Sequence, residues 1–396
     1  MSVRAVGRSI LQKSPSDVVI LSAVRSPITR AFKGGFKDAW PEDILRPVMR
    51  EAVVRAKIET DDVKDVLIGN VLAELGFAKT GRMALLDCGF PPSTTFHTVN
   101  RQCSSSLQAI THQAHAIMAG QFDVALAGGV ESMTRNYGSR GRPTDVSPSL
   151  RASNVKQATD CLLAMGETSE RVAQRYSISR KEQDDFAFQS HQRALMARAA
   201  GKFASEVVPV TYQAPSEADR EGRLTTLTVT EDDGIRPNVS REKLGNLEPV
   251  FGKQGRSTAG NSSQISDGAS SVILARRSWA EDRGLKPIGR FAGTQVSGCE
   301  PDEMGVGPAL AIPALYKYTG VGQNDVGIFE INEAFASQMV YCVRTLHLDV
   351  AKVNPNGGAI ALGHPTGATG ARQAATLLAE MQRSDHELGV ISMCAR

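Results

Sequence analysis

The chain repeats itself, and that repeat constrains its fold more than any other feature. In the first half, "TVNRQCSSSLQAITHQAHAIMAG" leads into "FDVALAGGVESM"; in the second, "KVNPNGGAIALGHPTGATGARQAATLLAEM" leads into "LGVISMC". Upstream, "DVLIGNVLAE" has its counterpart in "DVGIFEINEAF". Each half therefore runs strand, Val-Asn turn, a residue of reactive type, helix, strand. Apolar residues recur at helical spacing after Cys103 (Leu107, Ile110, Ala114, Ile117) and again after His364 (Ala371, Ala374, Ala375, Leu378). Two similar α/β units facing each other would bring the starts of these helices to one interface.

The rest of the chain fits that plan. "DVVILSAV" (17–24) and "DVLIGNVL" (65–72) predict strands, and "PEDILRPVMREAVVRA" (41–56) predicts a helix between them. This βαβ rhythm implies a parallel sheet covered by helices. From about 135 to 255 charge and loop residues increase, with a capping box at Ser179–Glu182 and a polar strand pair expected near 223–230. "SSVILARRS" (270–278) then returns as a buried strand. The fold class is thus α/β: an arm over 1–16, a first unit over 17–285 containing the insert, and a second unit over 286–396.

Composition narrows the function classes. A net charge of +3 without a long basic run argues against a nucleic-acid partner. No stretch approaches the ~18 uninterrupted apolar residues of a membrane span. Six scattered cysteines with no CxxC pair argue against a metal site or a disulfide framework, and for a reducing compartment. The basic, acid-free opening "MSVRAVGRSILQKSP" has no apolar core and is not a secretory signal. It reads as a targeting arm or a plain tail.

Four residues carry candidate chemistry, each with a plainer alternative. Cys103 stands just before a helix, where free N–H groups and the helix dipole favour thiolate and can receive an oxyanion; the alternative is a small buried hydrophobe. His364, in a turn rich in glycine, can deprotonate a nearby thiol, or simply be satisfied within the turn. Asn332 follows the strand "VGIFEI", so its amide points to a ligand crevice or caps a helix. Cys394 closes the last strand, and taken alone is an incidental thiol.

Together these pieces resemble the thiolase family, and within it the 3-ketoacyl-CoA thiolases of fatty-acid β-oxidation, in wording nearest the eukaryotic peroxisomal type. The resemblance runs from about Asp17 to Cys394 through "NRQCSSSLQA", "GGVESMT", "MGETSE", "AGNSSQISDGA", "NEAFASQ", "NPNGGAIALGHPTGATGARQ" and "SMC". It implies the thiolase fold, two βαβαβαββ halves in an α/β/α/β/α layering, with a loop domain that holds coenzyme A, and a homodimer. It implies that Cys103 is the acylated nucleophile and His364 its base. Asn332 would hold a water that helps stabilise the thioester enolate, and Cys394 would protonate the acetyl-CoA carbanion. Met165 and Ser263 match positions that contact the pantetheine arm. Coenzyme A enters as substrate, and neither a cofactor nor a metal is implied.

The implied reaction is cleavage of 3-oxoacyl-CoA by CoA to acetyl-CoA and a shortened acyl-CoA. The alternatives are an impaired thiolase-fold CoA binder and a condensing, acetoacetyl-CoA-forming thiolase. The family type implies the peroxisome, with the cytoplasm as the alternative. Arg220, Arg223 and Arg236 are candidates for the CoA phosphates or for a solvated surface.

Two departures stand out. Ser106 occupies a position where the family usually has glycine, and would narrow the pocket or add a hydrogen bond at the helix start. The family also continues Cys-x-Gly into a last strand, whereas Arg396 stands in the glycine's place. Loss of one such oxyanion donor costs about 3 kcal/mol. The sequence thus predicts an unpaired sheet edge beside a loosely held Cys394 and reduced activity.

Overall fold

The computed structural model describes residues 10–215 and 224–395. Arg220, Arg223, Arg396 and most of the N-terminal arm lie outside them. Strand β1 (Val18–Arg25) is β-branched and aliphatic, and both its faces are covered. Val19, Leu21 and Val24 meet the helix Pro41–Ala56, while Val18 and Ile20 point to the molecule's centre. That helix starts on Pro41, carries Glu42 and Asp43 in its first turn, and ends on Lys57 at φ 58°.

β1 belongs to a seven-stranded sheet with β2 (Thr29–Arg30), β3 (Asp65–Gly69), β4 (Thr95–Val99), β5 (Val124–Ser132), β8 (Ser266–Arg276) and β9 (Gly289–Arg290). The main order is β4-β3-β5-β8-β1-β9. Pairing is parallel only among β4, β3 and β5; β8 runs antiparallel to both β5 and β1. The sheet is therefore mixed rather than parallel as the βαβ rhythm implied, because β8 enters from the long insert and not from a helical crossover.

β10 (Ile328–Ile331) and β11 (Gly389–Ser392) pair in parallel as a second sheet. Among the described residues no strand pairs the other edge of β11, which borders a 1310 Å³ groove beside Phe291 and Leu378. Between the sheets lie the helices Ser105–Met118 and Thr369–Ser384. Ala109, Ile110, Ala114 and Ile117 of one and Ala371 and Ala374 of the other share a core with Leu67, Ala125, Ala127, Val272 and Leu274. The helices Gly307–Thr319 and Ala336–Thr345 cover the far side of β10 and β11 through Ile312, Phe329, Ile331 and Met339. The layers run helix, sheet, helix, sheet, helix, and both halves contribute to the middle one.

The insert is tied to this frame. Ser179 accepts from Glu182 N (3.2 Å) and Glu182 accepts from Ser179 N (2.8 Å), so the capping box starts the helix Arg180–Ala199. The polar pair expected near 223–230 is a hairpin in which β7 (Leu224–Val229) pairs with the earlier β6 (Val210–Pro215).

Beneath the insert, fully buried Arg25 donates to Glu206 (2.7 Å) and to both oxygens of Asp232 (2.7 and 2.9 Å). Glu206 also accepts from Thr376 of the second half (3.1 Å). Removing one partner of such a cluster strands buried charge, so Arg25→Met is expected to lower unfolding free energy by about 3–5 kcal/mol. Denaturant titration measures this; a loss below about 1 kcal/mol would contradict the assigned role.

Candidate active site

The turn that carries Cys103 is built by short polar side chains. Asn100 Oδ1 accepts from Gln102 N (2.9 Å), and Gln102 adopts φ 48°. Ser105 Oγ donates to Gln102 O (2.6 Å) and accepts from Arg101 N (2.9 Å). The result presents Cys103 two residues before the helix Ser105–Met118. Cys103 is only 4% exposed, and burial together with the Glu131 carboxylate pushes its thiol up to about 12. This corrects the expectation of a thiolate: desolvation outweighs the favourable helix start, and the resting sulfur carries its proton.

The other helix meets this turn directly. Ser106 Oγ accepts from Ala371 N (3.0 Å), in the first turn of Thr369–Ser384. The serine in the family's glycine position thus adds an N-terminal hydrogen bond, but to the opposite half's helix. A Cβ on Gly370 would lie 2.5 Å from Leu107 N, so only glycine lets the two first turns touch.

His364 precedes that second helix and is 5% exposed. Thr369 Oγ1 gives its hydrogen to Pro365 O (2.9 Å) and therefore accepts from His364 Nδ1 (2.7 Å). The network assigns the proton to Nδ1 and leaves Nε2 as an acceptor, 3.3 Å from Asn332 Nδ2. Burial, then nearby Arg372, pushes the imidazole down to about 3, so it is a neutral base at physiological pH.

Asn332 is fully buried, and its N–H donates to Ser392 O (2.9 Å) at the end of β11. It caps no helix: the following one starts at Ala336 with Phe335 as its cap residue. Asn332 Oδ1 is buried and has no hydrogen-bond partner among the described residues. Glu333 beside it accepts from Ser190 Oγ (2.6 Å), Asn354 Nδ2 (2.8 Å) and Ile360 N (3.1 Å), locking the glycine-rich loop that leads to His364.

Cys394 lies two residues beyond β11 rather than closing it, and is 1% exposed. It packs with Met304 and Ala334, against Met165 and Phe335. Burial, then the nearby Cys103, raises its pKa well above the usual thiol range. The loose hold expected for Cys394 is not found, because apolar packing encloses it. Ser263 N donates to Ala334 O (3.0 Å), placing Ser263 against the same loop. Arg236 is exposed, and its N–H donates to His191 Nδ1 (3.4 Å). No group of three or more His, Cys, Asp or Glu among the described residues is arranged to hold a metal.

Sequence reasoning missed the roles of Glu131 and Glu333. Both are acids at or just past the end of a buried strand, a position where a charge needs a partner, and that was the available signal.

Known proteins match this architecture along its length. The family described as Thiolase, N-terminal domain, matches residues 18–278, and Thiolase, C-terminal domain, matches 285–396. The peroxisomal 3-ketoacyl-CoA thiolase 2 of Arabidopsis thaliana is 48% identical over 96% of this chain and 81% of its own. The peroxisomal 3-ketoacyl-CoA thiolase B of Rattus norvegicus is 48% identical over 97% and 89%. The dimeric peroxisomal thiolase of Saccharomyces cerevisiae superposes with a TM-score of 0.91 at 44% identity, covering 98% of this chain and 96% of that one. With both family domains present in order and the whole fold shared, the chain belongs to the thiolase family.

Proposed function

We propose that the chain is a 3-ketoacyl-CoA thiolase that cleaves 3-oxoacyl-CoA with CoA, yielding acetyl-CoA and an acyl-CoA two carbons shorter. The observation that supports this reading is a set of buried groups, the thiols Cys103 and Cys394 and the neutral His364 hydrogen-bonded to Asn332, with the turns of Cys103 and His364 joined where Ser106 meets Ala371. Relatives 47–48% identical over nearly the whole chain are 3-ketoacyl-CoA thiolases, which supports it.

The residues divide the work as follows. Cys103 Sγ attacks the substrate's C3 carbonyl while its proton passes to His364 Nε2. Because neither group is charged at rest, proton transfer accompanies the attack. The C2–C3 bond breaks, its electron pair goes to C2, and Cys394 supplies the proton that releases acetyl-CoA. Asn332 and His364 face the thioester oxygen of the enolate, where an amide and an imidazolium offset the developing charge. The Cys394 thiolate then takes the proton of the incoming CoA thiol, whose sulfur attacks the acyl-Cys103 carbonyl. Cys103 leaves and recovers its proton from His364. The insert holds the CoA, with Met165 and Ser263 along the pantetheine arm.

The enzyme works as a homodimer in the peroxisome on this reading. A yeast relative is dimeric and the curated relatives are peroxisomal. β4 is a sheet edge with Thr95 and His97 exposed, a surface suited to a second copy. Among the described residues no helix is long and apolar enough to cross a membrane.

The test mixes purified protein with 3-ketooctanoyl-CoA and CoA and follows products by mass spectrometry. Acetyl-CoA and hexanoyl-CoA should both appear, and acyl-CoA without free CoA should leave an acyl group on Cys103. A folded protein giving neither product overturns the proposal.

A further inference from the structure

Glu131 takes no part in the chemistry above, yet it binds the two turns that carry it. It lies near the end of β5 with 0% exposure. From the loop after β3 its carboxylate accepts Val71 N (3.0 Å), Leu72 N (3.2 Å) and Asn70 Nδ2 (3.4 Å). From the turn after His364 it accepts Thr366 Oγ1 (3.0 Å) and Gly367 N (3.1 Å). Four N–H groups and a hydroxyl converge on two oxygens, a set that a carboxylate satisfies and an acid or amide cannot.

The backbone around this carboxylate has no slack. A Cβ on Gly129 would collide with the Gly367 carbonyl oxygen. One on Gly367 would lie 2.6 Å from Val130 O and 2.8 Å from Gly69 O. The turn that carries His364 is therefore seated into the ends of β3 and β5, and Glu131 is the side chain that ties it there.

We propose that Glu131 is a positioning residue for thiolysis: its carboxylate holds the turn of the second half against the first, and so sets where the His364 imidazole meets Cys103. Burial pushes Glu131 itself up to about 7, so at pH 8 it is mostly a carboxylate, and its charge opposes ionisation of the Cys103 thiol. Two effects of opposite sign follow. Removing the charge slackens the turn and slows turnover, while making the sulfur easier to alkylate. A side chain with a purely structural role would not link the two in that way.

The inference rests on the thiolase reading, which the parent enzyme's own turnover tests separately. Glu131→Gln keeps the size but turns an NH₂ toward backbone N–H groups. It should lower kcat about 100-fold, the scale of a displacement near 1 Å, with KM within about threefold of the parent. Iodoacetamide should label its Cys103 faster than the parent's at pH 8, as read by peptide mass spectrometry. Thr366→Val removes one donor and keeps the charge, so kcat should fall about tenfold with parent-like labelling. With an active parent, a Glu131→Gln kcat within about threefold of it, a loss confined to KM, or slower labelling of Cys103 overturns the proposal. Should Glu131→Gln fail to fold, Thr366→Val decides: reduced kcat with parent-like labelling supports the proposal, and parent-like kcat overturns it.

Discussion

Cys103→Ser is expected to reduce thiolysis by at least about 10⁴-fold while leaving the fold intact. Oxygen replaces sulfur in a closed pocket with no change in hydrogen-bonding class, so stability changes little. The chemistry does not survive the exchange. A serine hydroxyl is far less acidic than a thiol, and the proposed base His364, pushed down to about 3, is weak. That pairing works for sulfur because a thiol needs little help to become a nucleophile. Intact-mass analysis provides the second readout: the parent gains an acyl group from acyl-CoA and the variant gains none. Turnover within about tenfold of the parent would remove Cys103 from the nucleophile's role.

His364→Asn is expected to cost about 10²–10⁴-fold in kcat/KM, the range of a positioned general base. Asparagine can still reach toward Thr369, so the loss reports the missing base rather than a collapsed turn. The pH profile distinguishes this histidine from an ordinary one. With its folded pKa near 3, the parent should show no inflection near 6.5 that vanishes in the variant. Stability carries the complementary signature. The unfolded chain binds a proton at His364 below about pH 6.5, and the folded chain does so only near pH 3. Parent stability therefore falls as pH drops through that window, and His364→Asn should fall less steeply. Denaturant midpoints of the pair between pH 4 and 7 measure the difference; parallel curves would show that His364 is not buried as a neutral base.

The candidate site residues were legible because their meaning lies in local pattern. Cys103 and His364 occupy matching places in a repeat, and "NEAF" and "SMC" sit at the ends of apolar runs. Strand and helix positions followed from periodicity, and Pro41–Ala56 falls where the pattern put it. What escaped depends on closure of the whole molecule. Protonation of Cys103 reverses the helix-start argument only once Glu131 and the second half have shut out water. The Arg25 cluster joins residues 181 and 207 positions apart, a separation that no window along the chain detects. β8 made the sheet mixed through the path of the insert, which sequence periodicity does not encode.

The seating of Gly367 between the ends of β3 and β5 has a consequence for the life of the protein before it is an enzyme. On the proposed reading, the sulfur that is acylated and its base come from opposite halves, which touch through that contact. A chain folded through one half then holds Cys103 without its base. Catalytic competence therefore reports, on that reading, that the two halves have docked, and Gly367 is the residue whose small size permits it.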